Sequence, residues 1–304
     1  RHTLKLRFQR NFSFDVGIPG GAAFSPAATA KYKQIGRTLL SVEYEMTDLT
    51  RTLSSLRFKG FYQSILRNVE MLPNAPKPET GAMPVKVTPY ALNNTFGGSG
   101  EATWNFSPSH TLVAGAEFWR RNNSSDRKKY IDQYAAGALK AQLIRSETPL
   151  PTASYVSAGI YAQDEMKFLD ERMILTFGGR IDVNSVTNQE CFNVNYVENL
   201  TTGQINYNPD GKRVIFEAGR RTDPSWSGNA GLLFKATQKF DLTLNLSRSY
   251  RSPAFEEMFK FIDLSGNKVR FGNPDLRAEK GFSGDAGVRF HGDRMKFDVS
   301  AFIN

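Results

Sequence analysis

The chain has 304 residues, of which 40% are hydrophobic and 12% aromatic, with a formal net charge of +9 and a single cysteine. No apolar run reaches the roughly 18 residues that indicate a transmembrane helix, and one cysteine cannot form a disulfide within the chain. The basic residues are spread along the sequence without a recognisable module on a compact basic face, so we expect no nucleic-acid binding.

Strand-like runs follow one another along the chain. Apolar residues occupy every second position in Leu40–Met46, Met173–Val183, Phe240–Ser247 and Met295–Ile303, and mostly polar or small residues lie between them. Such period-two alternation predicts strands with one apolar face and one hydrated face. The runs reach about 9 to 11 residues, which is the length that a tilted strand needs to cross a bilayer.

Five short polar turns alternate with five long polar loops between these runs. The turns are predicted at Thr47–Arg51, Ser107–His110, Leu169–Arg172, Ala236–Lys239 and His291–Arg294. The loops are predicted over residues 10–37, 63–94, 122–153, 185–225 and 249–281. Short turns on one rim and long loops on the other are typical of a transmembrane β-barrel, in which the turns face the periplasm and the loops face the outside.

Two stretches within this pattern carry local predictions. The Ala-rich segment Tyr130–Ile144 has the propensity of a short helix within the third loop. The segment Gly97–Gly100 is rich in glycine, but no lysine follows it as in a phosphate-binding loop. We therefore interpret it as a strand start at the outer rim.

Taken together, the pattern predicts an all-β fold, an antiparallel transmembrane β-barrel with about eleven crossings over residues 1–304. Eleven is an odd number, and the chain opens and stops within strand patterns, at Leu4–Phe8 and at Met295–Ile303. We therefore expect one barrel domain that is part of a longer protein. A soluble all-β interaction protein stays open, because alternation alone does not distinguish a lipid-facing surface from a protein core.

Two groups of residues resemble the barrel region of TonB-dependent outer-membrane receptors. The first is Tyr161–Glu165, followed after a turn by Leu175–Asp182, and it is similar to the family's Tyr-Ala-Gln-Asp and Gly-x-Arg-x-Asp strands. The second is a pair of boxes, Tyr-Arg-Ser-Pro and Asn-Pro-Asp-Leu, which depart mildly from the family's Phe-Arg-Ala-Pro and Asn-Pro-Asn-Leu. The box residues are Tyr250, Arg251, Pro253, Asn273, Pro274 and Leu276.

The resemblance implies a barrel of about 22 strands in the outer membrane of a Gram-negative bacterium, filled by an N-terminal plug that meets TonB. On that interpretation the chain supplies about half of the strands, and the plug and the C-terminal strands are absent from it. The resemblance also implies energy-coupled uptake of a ferric siderophore, haem or cobalamin, without enzymatic chemistry or a resident cofactor or metal. A passive porin remains an alternative, which a plug upstream would exclude.

The two boxes are expected at the base of one long loop. Pro253 and Pro274 lack a backbone N–H, so each is predicted to lie where strand pairing ends at a rim. The boxes serve either as structural staples of the strand ends or as direct substrate contacts, and the sequence leaves both open. A charge network is predicted between the residues Arg251, Glu256, Glu257, Asp275, Arg277 and Glu279.

The nature of the ligand is the least determined point. Haem receptors of this family place an axial-ligand His between the two boxes, but the interval Ala254–Gly272 contains no His, which leaves Met258 as an alternative ligand. A ferric siderophore fits better, because the family commonly holds such anionic, partly aromatic chelates through Arg, Tyr, Trp and Phe. The candidate contacts are Trp119, Arg120, Arg121, Tyr130, Tyr134, Phe255, Phe259 and Phe261.

Each candidate contact also has a structural interpretation. Trp119 and the phenylalanines are compatible with an aromatic girdle that faces lipid at the rim. The basic stretch Arg120–Lys129 is compatible with contact to outer-membrane lipid, in particular to lipopolysaccharide phosphates, or with plain solvation. Cys191 is expected to be a loop thiol without a role.

Overall fold

The fold is known from a computed structural model, which describes residues 1–19, 29–74, 76–263 and 269–304. No helix within these ranges is long and apolar enough to span a membrane. In chain order, the elements of the described residues are β1 (His2–Gly17), β2 (Thr29–Thr47), β3 (Leu53–Leu72), β4 (Gly81–Ser107), β5 (His110–Ala135), β6 (Ala138–Glu147), β7 (Ala153–Phe168), β8 (Met173–Asn188), β9 (Cys191–Phe192), β10 (Tyr196–Asn199), β11 (Gln204–Asn206), β12 (Val214–Phe216), β13 (Gly219–Lys235), β14 (Phe240–Arg251), α1 (Phe255–Phe259), β15 (Phe261–Asp263), β16 (Val269–Phe271), β17 (Glu279–His291) and β18 (Lys296–Ile303).

Eleven of these strands form one antiparallel wall, in the order β1-β2-β3-β4-β5-β7-β8-β13-β14-β17-β18. The predicted number of crossings is therefore confirmed. The five predicted turns are confirmed as well, because short connections join the strands in pairs on one rim, which we call the turn rim. The opposite rim, the loop rim, carries every longer connection. Within the described residues, β1 and β18 pair on one side only, so the wall is an open sheet.

The two faces of the wall differ as the alternation predicts. On the outer face, the side chains of Leu242, Leu244 and Leu246 in β14 are 41%, 42% and 54% exposed. Since large apolar side chains at such exposure are unfavourable in water, this face suits lipid. Lipid-facing side chains of the neighbouring strands follow the same period.

The inner face carries a polar ladder across six strands. Arg57 lies 2.7 Å from Glu45 and 3.2 Å from Glu101, and the hydroxyl of Tyr161 donates a hydrogen bond of 2.8 Å to Glu101. Arg180 continues the ladder, 3.5 Å from Glu117, and also pairs with Asp182 on its own strand. Charged side chains in such numbers indicate a hydrated lumen on this face.

The strands are longer than predicted, and the loops are correspondingly shorter. Strands β4 and β5 have 27 and 26 residues, whereas about 9 to 11 residues cross a bilayer. The predicted loops over 10–37, 63–94 and 122–153 are therefore wrong over much of their length, although the first two of them include residues outside the described ranges. Paired asparagines such as Asn93 and Asn123 lie in this extension. Strand pairing continues above the membrane, where polar side chains lie on both faces and hydrophobic alternation disappears.

Two local predictions are also wrong. The segment Tyr130–Ile144 is not a helix but the hairpin of β5 and β6, which turns at Ala136 and Gly137 with φ of 49° and 70°. Two successive residues with positive φ are typical of a tight hairpin turn, and pairing with β4 overrides the helix propensity. Gly97–Gly100 lies inside β4 rather than at a strand start.

The two faces predict opposite responses to a charge in the middle of β14. Leu244→Lys places an ammonium in lipid and is expected to destabilise the full-length protein by about 2 to 4 kcal/mol. Asn245→Lys is the matched control, because Asn245 faces the lumen and donates a hydrogen bond to Asp285 over 3.1 Å, so a lysine there meets a carboxylate. Unfolding by urea in lipid vesicles measures both changes. Equal decreases in the free energy of unfolding in the two variants would contradict the assignment of the outer face to lipid and the inner face to the lumen.

Candidate ligand-binding site

A cavity of about 480 Å³ lies at the loop rim, between the inner face of the wall and the loop that follows β14. The wall contributes the side chains of Trp119, Arg121 and Tyr155. The loop contributes Pro253 and Phe255, which belong to the first family box and to α1. The structure thus brings together four residues that the sequence had singled out in two separate segments.

Stacked aromatic rings form the wall side of the cavity. The rings of Trp119 and Tyr155 are 5.2 Å apart and nearly parallel, with an interplanar angle of 8°. The Arg121 guanidinium lies 5.5 Å from the Trp119 ring, and Arg121 pairs directly with Tyr155 across β5 and β7. A cation beside two ring faces suits a planar anionic ligand, because stacking and charge attraction act together.

Tyr155 was missed from the sequence, and Gly97 was assigned a different role there. Tyr155 lies six residues before Tyr161, so period two places both on one face, and this signal was available. Gly97 pairs with Trp119, and a Cβ atom at Gly97 would lie 2.6 Å from the Trp119 Cβ. Glycine is therefore required there for the backbone and Trp119 to approach each other.

An ion-pair clasp holds the base of the loop. Arg251 pairs with Glu257 over 3.1 Å and with Glu279 over 2.8 Å. Glu257 also accepts a hydrogen bond of 2.7 Å from the Ala254 backbone N–H, which caps α1. The predicted charge network is confirmed for these three charged residues, and among the described residues Glu256, Asp275 and Arg277 take no part in it.

The family boxes lie at strand ends, as predicted for their prolines. Pairing of β14 ends at Arg251, two residues before the buried Pro253. Pro274 lies between β16 and β17, and its carbonyl accepts a hydrogen bond of 2.7 Å from Arg221. Asn273 donates its backbone N–H to Glu257 over 2.9 Å. The boxes therefore join the two ends of the loop to the wall and to α1.

One residue of each box also contacts a part of the structure away from the loop base. Leu276 packs against a buried apolar cluster of the loop. The hydroxyl of Tyr250 lies beside Asp182 and Asn184 on the inner face, so Tyr250 links the loop base to the polar ladder. These contacts support the interpretation of both boxes as structural staples.

Phe259 and Phe261 belong to that apolar cluster. They are 6% and 8% exposed and pack with Met258, which is 1% exposed. The other buried members come from different segments of the loop rim and are Val186, Cys191 and Phe216. Of the three candidate phenylalanines, Phe255 alone lines the cavity. The cluster also keeps the Met258 thioether away from solvent and from any ligand in the cavity.

Cys191 is a packed thiol within the cluster. Its Sγ atom donates a hydrogen bond to the Thr148 carbonyl over 3.3 Å. Burial raises the pKa of the Cys191 thiol to about 11. Because the thiolate is the reactive form, this side chain is unreactive at neutral pH.

The remaining candidates lie away from the cavity. Arg120 is on the outer face, where it donates a hydrogen bond of 3.0 Å to Asn122. Tyr130 and Tyr134 lie in the tall hairpin, with the ammonium groups of Lys86 and Lys77 over their rings at 4.0 and 4.8 Å. Their distance from Arg121 along β5 is about 30 Å or more.

The basic stretch of β5 is not a uniform cationic surface. Arg127 and Lys129 are buried, and both pair with the buried carboxylate of Glu147, at 3.2 Å in the case of Lys129. Arg145 lies 3.2 Å from the same carboxylate. Arg127 and Lys129 are therefore structural, and contact with lipopolysaccharide does not explain them.

The clasp predicts a loop that loosens in acid. Arg251, and after it the Ala254 amide, hold the pKa of the Glu257 carboxyl below its ordinary value. The stabilisation is complete above the ordinary value of about 4.3 and is lost as the pH falls through the lowered pKa. A spin label at Glu256→Cys in the full-length protein is expected to become mobile only in that acidic range. Adding Glu257→Gln raises its mobility already at neutral pH, and an unchanged pH profile in this variant would contradict the role of the clasp.

Comparison with known sequences identifies the family. The family model described as TonB dependent receptor-like, beta-barrel, matches residues 3–304. Lactoferrin-binding protein A of Neisseria meningitidis serogroup B (strain ATCC BAA-335 / MC58) is 30% identical over 90 residues, which are 30% of this chain and 9% of that protein.

Solved structures share the architecture of the wall. The copper transporter OprC has a TM-score of 0.62 at 19% identity, over 90% of this chain and 39% of that chain. The ferric yersiniabactin uptake receptor FyuA from Yersinia pestis has a TM-score of 0.59 at 10% identity, over 99% of this chain and 42% of that chain. This chain thus spans less than half of these two proteins, and the likeness shows the fold. With the match over residues 3–304, the chain belongs to the β-barrel family of TonB-dependent receptors, which are outer-membrane receptors and transporters and not enzymes.

Proposed function

We propose that this chain forms the ligand-capturing part of an outer-membrane receptor that takes up a ferric siderophore. The observation that carries the proposal is the Trp119–Tyr155 stack with Arg121 beside it, in a cavity between wall and loop. Aromatic, anionic iron chelates present flat rings and negative charge to such a surface. The iron is cargo within its chelate, so the protein needs to recognise the chelate as a whole.

Transport requires a path from the cavity toward the periplasm. The polar ladder of Glu117, Arg180, Tyr161, Glu101 and Arg57 lies on the same inner face as the cavity, nearer to the turn rim. It offers hydrogen bonds to a hydrated ligand along the lumen. In this proposal, a plug domain elsewhere in the full protein closes the lumen, and TonB supplies the energy that opens it.

Haem fits the described loop less well. The interval Ala254–Gly272 contains no His, and the Met258 thioether is turned into the apolar cluster. Axial ligation by this loop would require the cluster to come apart. Recognition of a chelate through Arg121 and the aromatic stack requires no such rearrangement.

A second candidate is iron taken from a carrier protein. The favouring observation is the height of β4, β5 and β6, because strands of 27 and 26 residues extend far beyond the roughly 11 that cross a membrane. Such a projecting sheet offers area for a protein partner. A relative of part of this chain is named for binding lactoferrin.

The proposal predicts separate effects of two neighbouring arginines. Arg121→Gln in the full-length receptor is expected to weaken binding of a ferric tris-catecholate by roughly tenfold or more, since it removes a charged contact. Trp119→Leu is expected to weaken it to a similar degree by removing the stacked ring. Quenching of tryptophan fluorescence measures the affinity of Arg121→Gln for the chelate, and isothermal titration calorimetry measures the affinity of both variants.

Arg120→Gln is the matched control, because Arg120 points to the outer face one residue away. It is expected to bind the chelate as the wild type does, and an uncharged ferric trihydroxamate is expected to be insensitive to Arg121→Gln. Equal effects of the two arginine variants would overturn the site. Binding of iron-loaded lactoferrin without binding of any chelate would favour the second candidate.

A further inference from the structure

The cavity at the loop rim carries opposite charges on its two sides. Arg121 lines it from the wall, whereas Glu256 and Glu257 line it from the loop that follows β14. The carboxylate of Glu257 pairs with Arg251 over 3.1 Å, so its charge is already balanced within the loop. Glu256 therefore supplies the negative charge that the loop side presents to the cavity.

Neither of these two charges has an ionic partner in the part of the chain that the structure describes. Glu256 is exposed, and no basic side chain of the described residues pairs with it. Arg121 lies 5.5 Å from the Trp119 ring, and no carboxylate of the described residues pairs with its guanidinium. Arg121 and Glu256 do not pair with each other either, although they line one cavity. Both charges are therefore available to a ligand that lies between wall and loop.

Contacts on both sides of Glu256 hold the loop against the wall. The hydroxyl of Tyr155 on the wall forms a hydrogen bond with the hydroxyl of Ser252, where the loop begins. Two residues after Glu256, Met258 is 1% exposed and belongs to the buried apolar cluster. The backbone segments that carry Arg121 and Glu256 are therefore held at a set separation by the folded loop.

An aromatic ring accompanies the charge on each side of the cavity. On the wall, Arg121 is next to the Trp119 ring, which suits a planar anionic group. On the loop, Phe255 and Glu256 are successive residues of α1, and both line the cavity. A carboxylate near an aromatic ring suits an alkylammonium group, because the cation is attracted by the carboxylate and by the ring face together. The two sides therefore suit groups of opposite charge.

We infer that the cavity binds iron chelates that carry an ammonium group in addition to anionic rings, and that Glu256 binds this ammonium. The inference rests on the proposed function and names the class of chelate within it. A purely anionic chelate meets Glu256 as a like charge, which weakens binding. An ammonium on the same chelate replaces this repulsion by a charge-assisted hydrogen bond. The rings then lie against Trp119 and Arg121, and the ammonium lies against Phe255 and Glu256.

Two ferric tris-catecholates that differ only at a pendant primary amine, free in one and acetylated in the other, test this inference. Isothermal titration calorimetry on the full-length receptor measures both affinities. The wild type is expected to bind the free amine roughly tenfold more tightly than the acetylated one. Glu256→Gln is expected to lose this preference and to bind the acetylated chelate at least as tightly as the wild type does. Glu256→Lys is expected to prefer a succinylated chelate, in which a carboxylate replaces the amine.

Asp275→Asn is the matched control, because Asp275 belongs to the same loop but does not line the cavity. It removes the same charge as Glu256→Gln and is expected to keep the wild-type preference for the free amine. Equal affinity of the wild type for the two chelates, or an equal loss of preference in both variants, would overturn the inference and leave the proposed function intact. Failure of the wild type to bind either chelate would overturn the proposed function, and the inference with it.

Discussion

The backbone ladder of the eleven wall strands is the interaction on which the rest of this structure depends. No water reaches N–H and C=O groups inside a bilayer, so each must find its partner on a neighbouring strand. That requirement makes successive wall strands antiparallel neighbours from β1 to β18.

The wall was predictable from the sequence wherever lipid lies on one side and water on the other. Phe240–Ser247 shows this most clearly, since one face must be apolar and the other polar, and the strand and its turn both follow. The same logic fails above the membrane. Asn93 and Asn123 pair in a ladder that carries polar side chains on both faces, which leaves no hydrophobic period to read. The helix predicted for Tyr130–Ile144 was wrong for a related reason, because pairing with β4 determines the conformation of this segment more strongly than its helix propensity does.

The candidate site was predictable in part: the facing of its wall residues follows from the sequence, whereas the facing of its loop residues does not. Period two places Trp119 and Arg121 on one face and Arg120 on the other, so the sequence already separates them. A lumen-facing Trp119 cannot belong to an aromatic girdle against lipid. No such rule applies to Phe255, Phe259 and Phe261. Their orientation depends on a cluster with Cys191 and Phe216, which lie far away in sequence, so only the folded loop distinguishes the half-buried ring of Phe255, which lines the cavity, from the two buried rings.

The two sides of the cavity are held by forces of different kinds. Trp119, Arg121 and Tyr155 stand on paired strands, whose ladder opposes any movement of the backbone. Phe255 stands on a short helix held by exposed ion pairs of Arg251 and by the packing of Met258 and Phe259. Exposed ion pairs contribute little to stability, whereas buried apolar packing contributes much. A ligand that shifts this loop must therefore compensate mainly for the apolar cluster, and it can do so only through contacts that differ between the two loop positions.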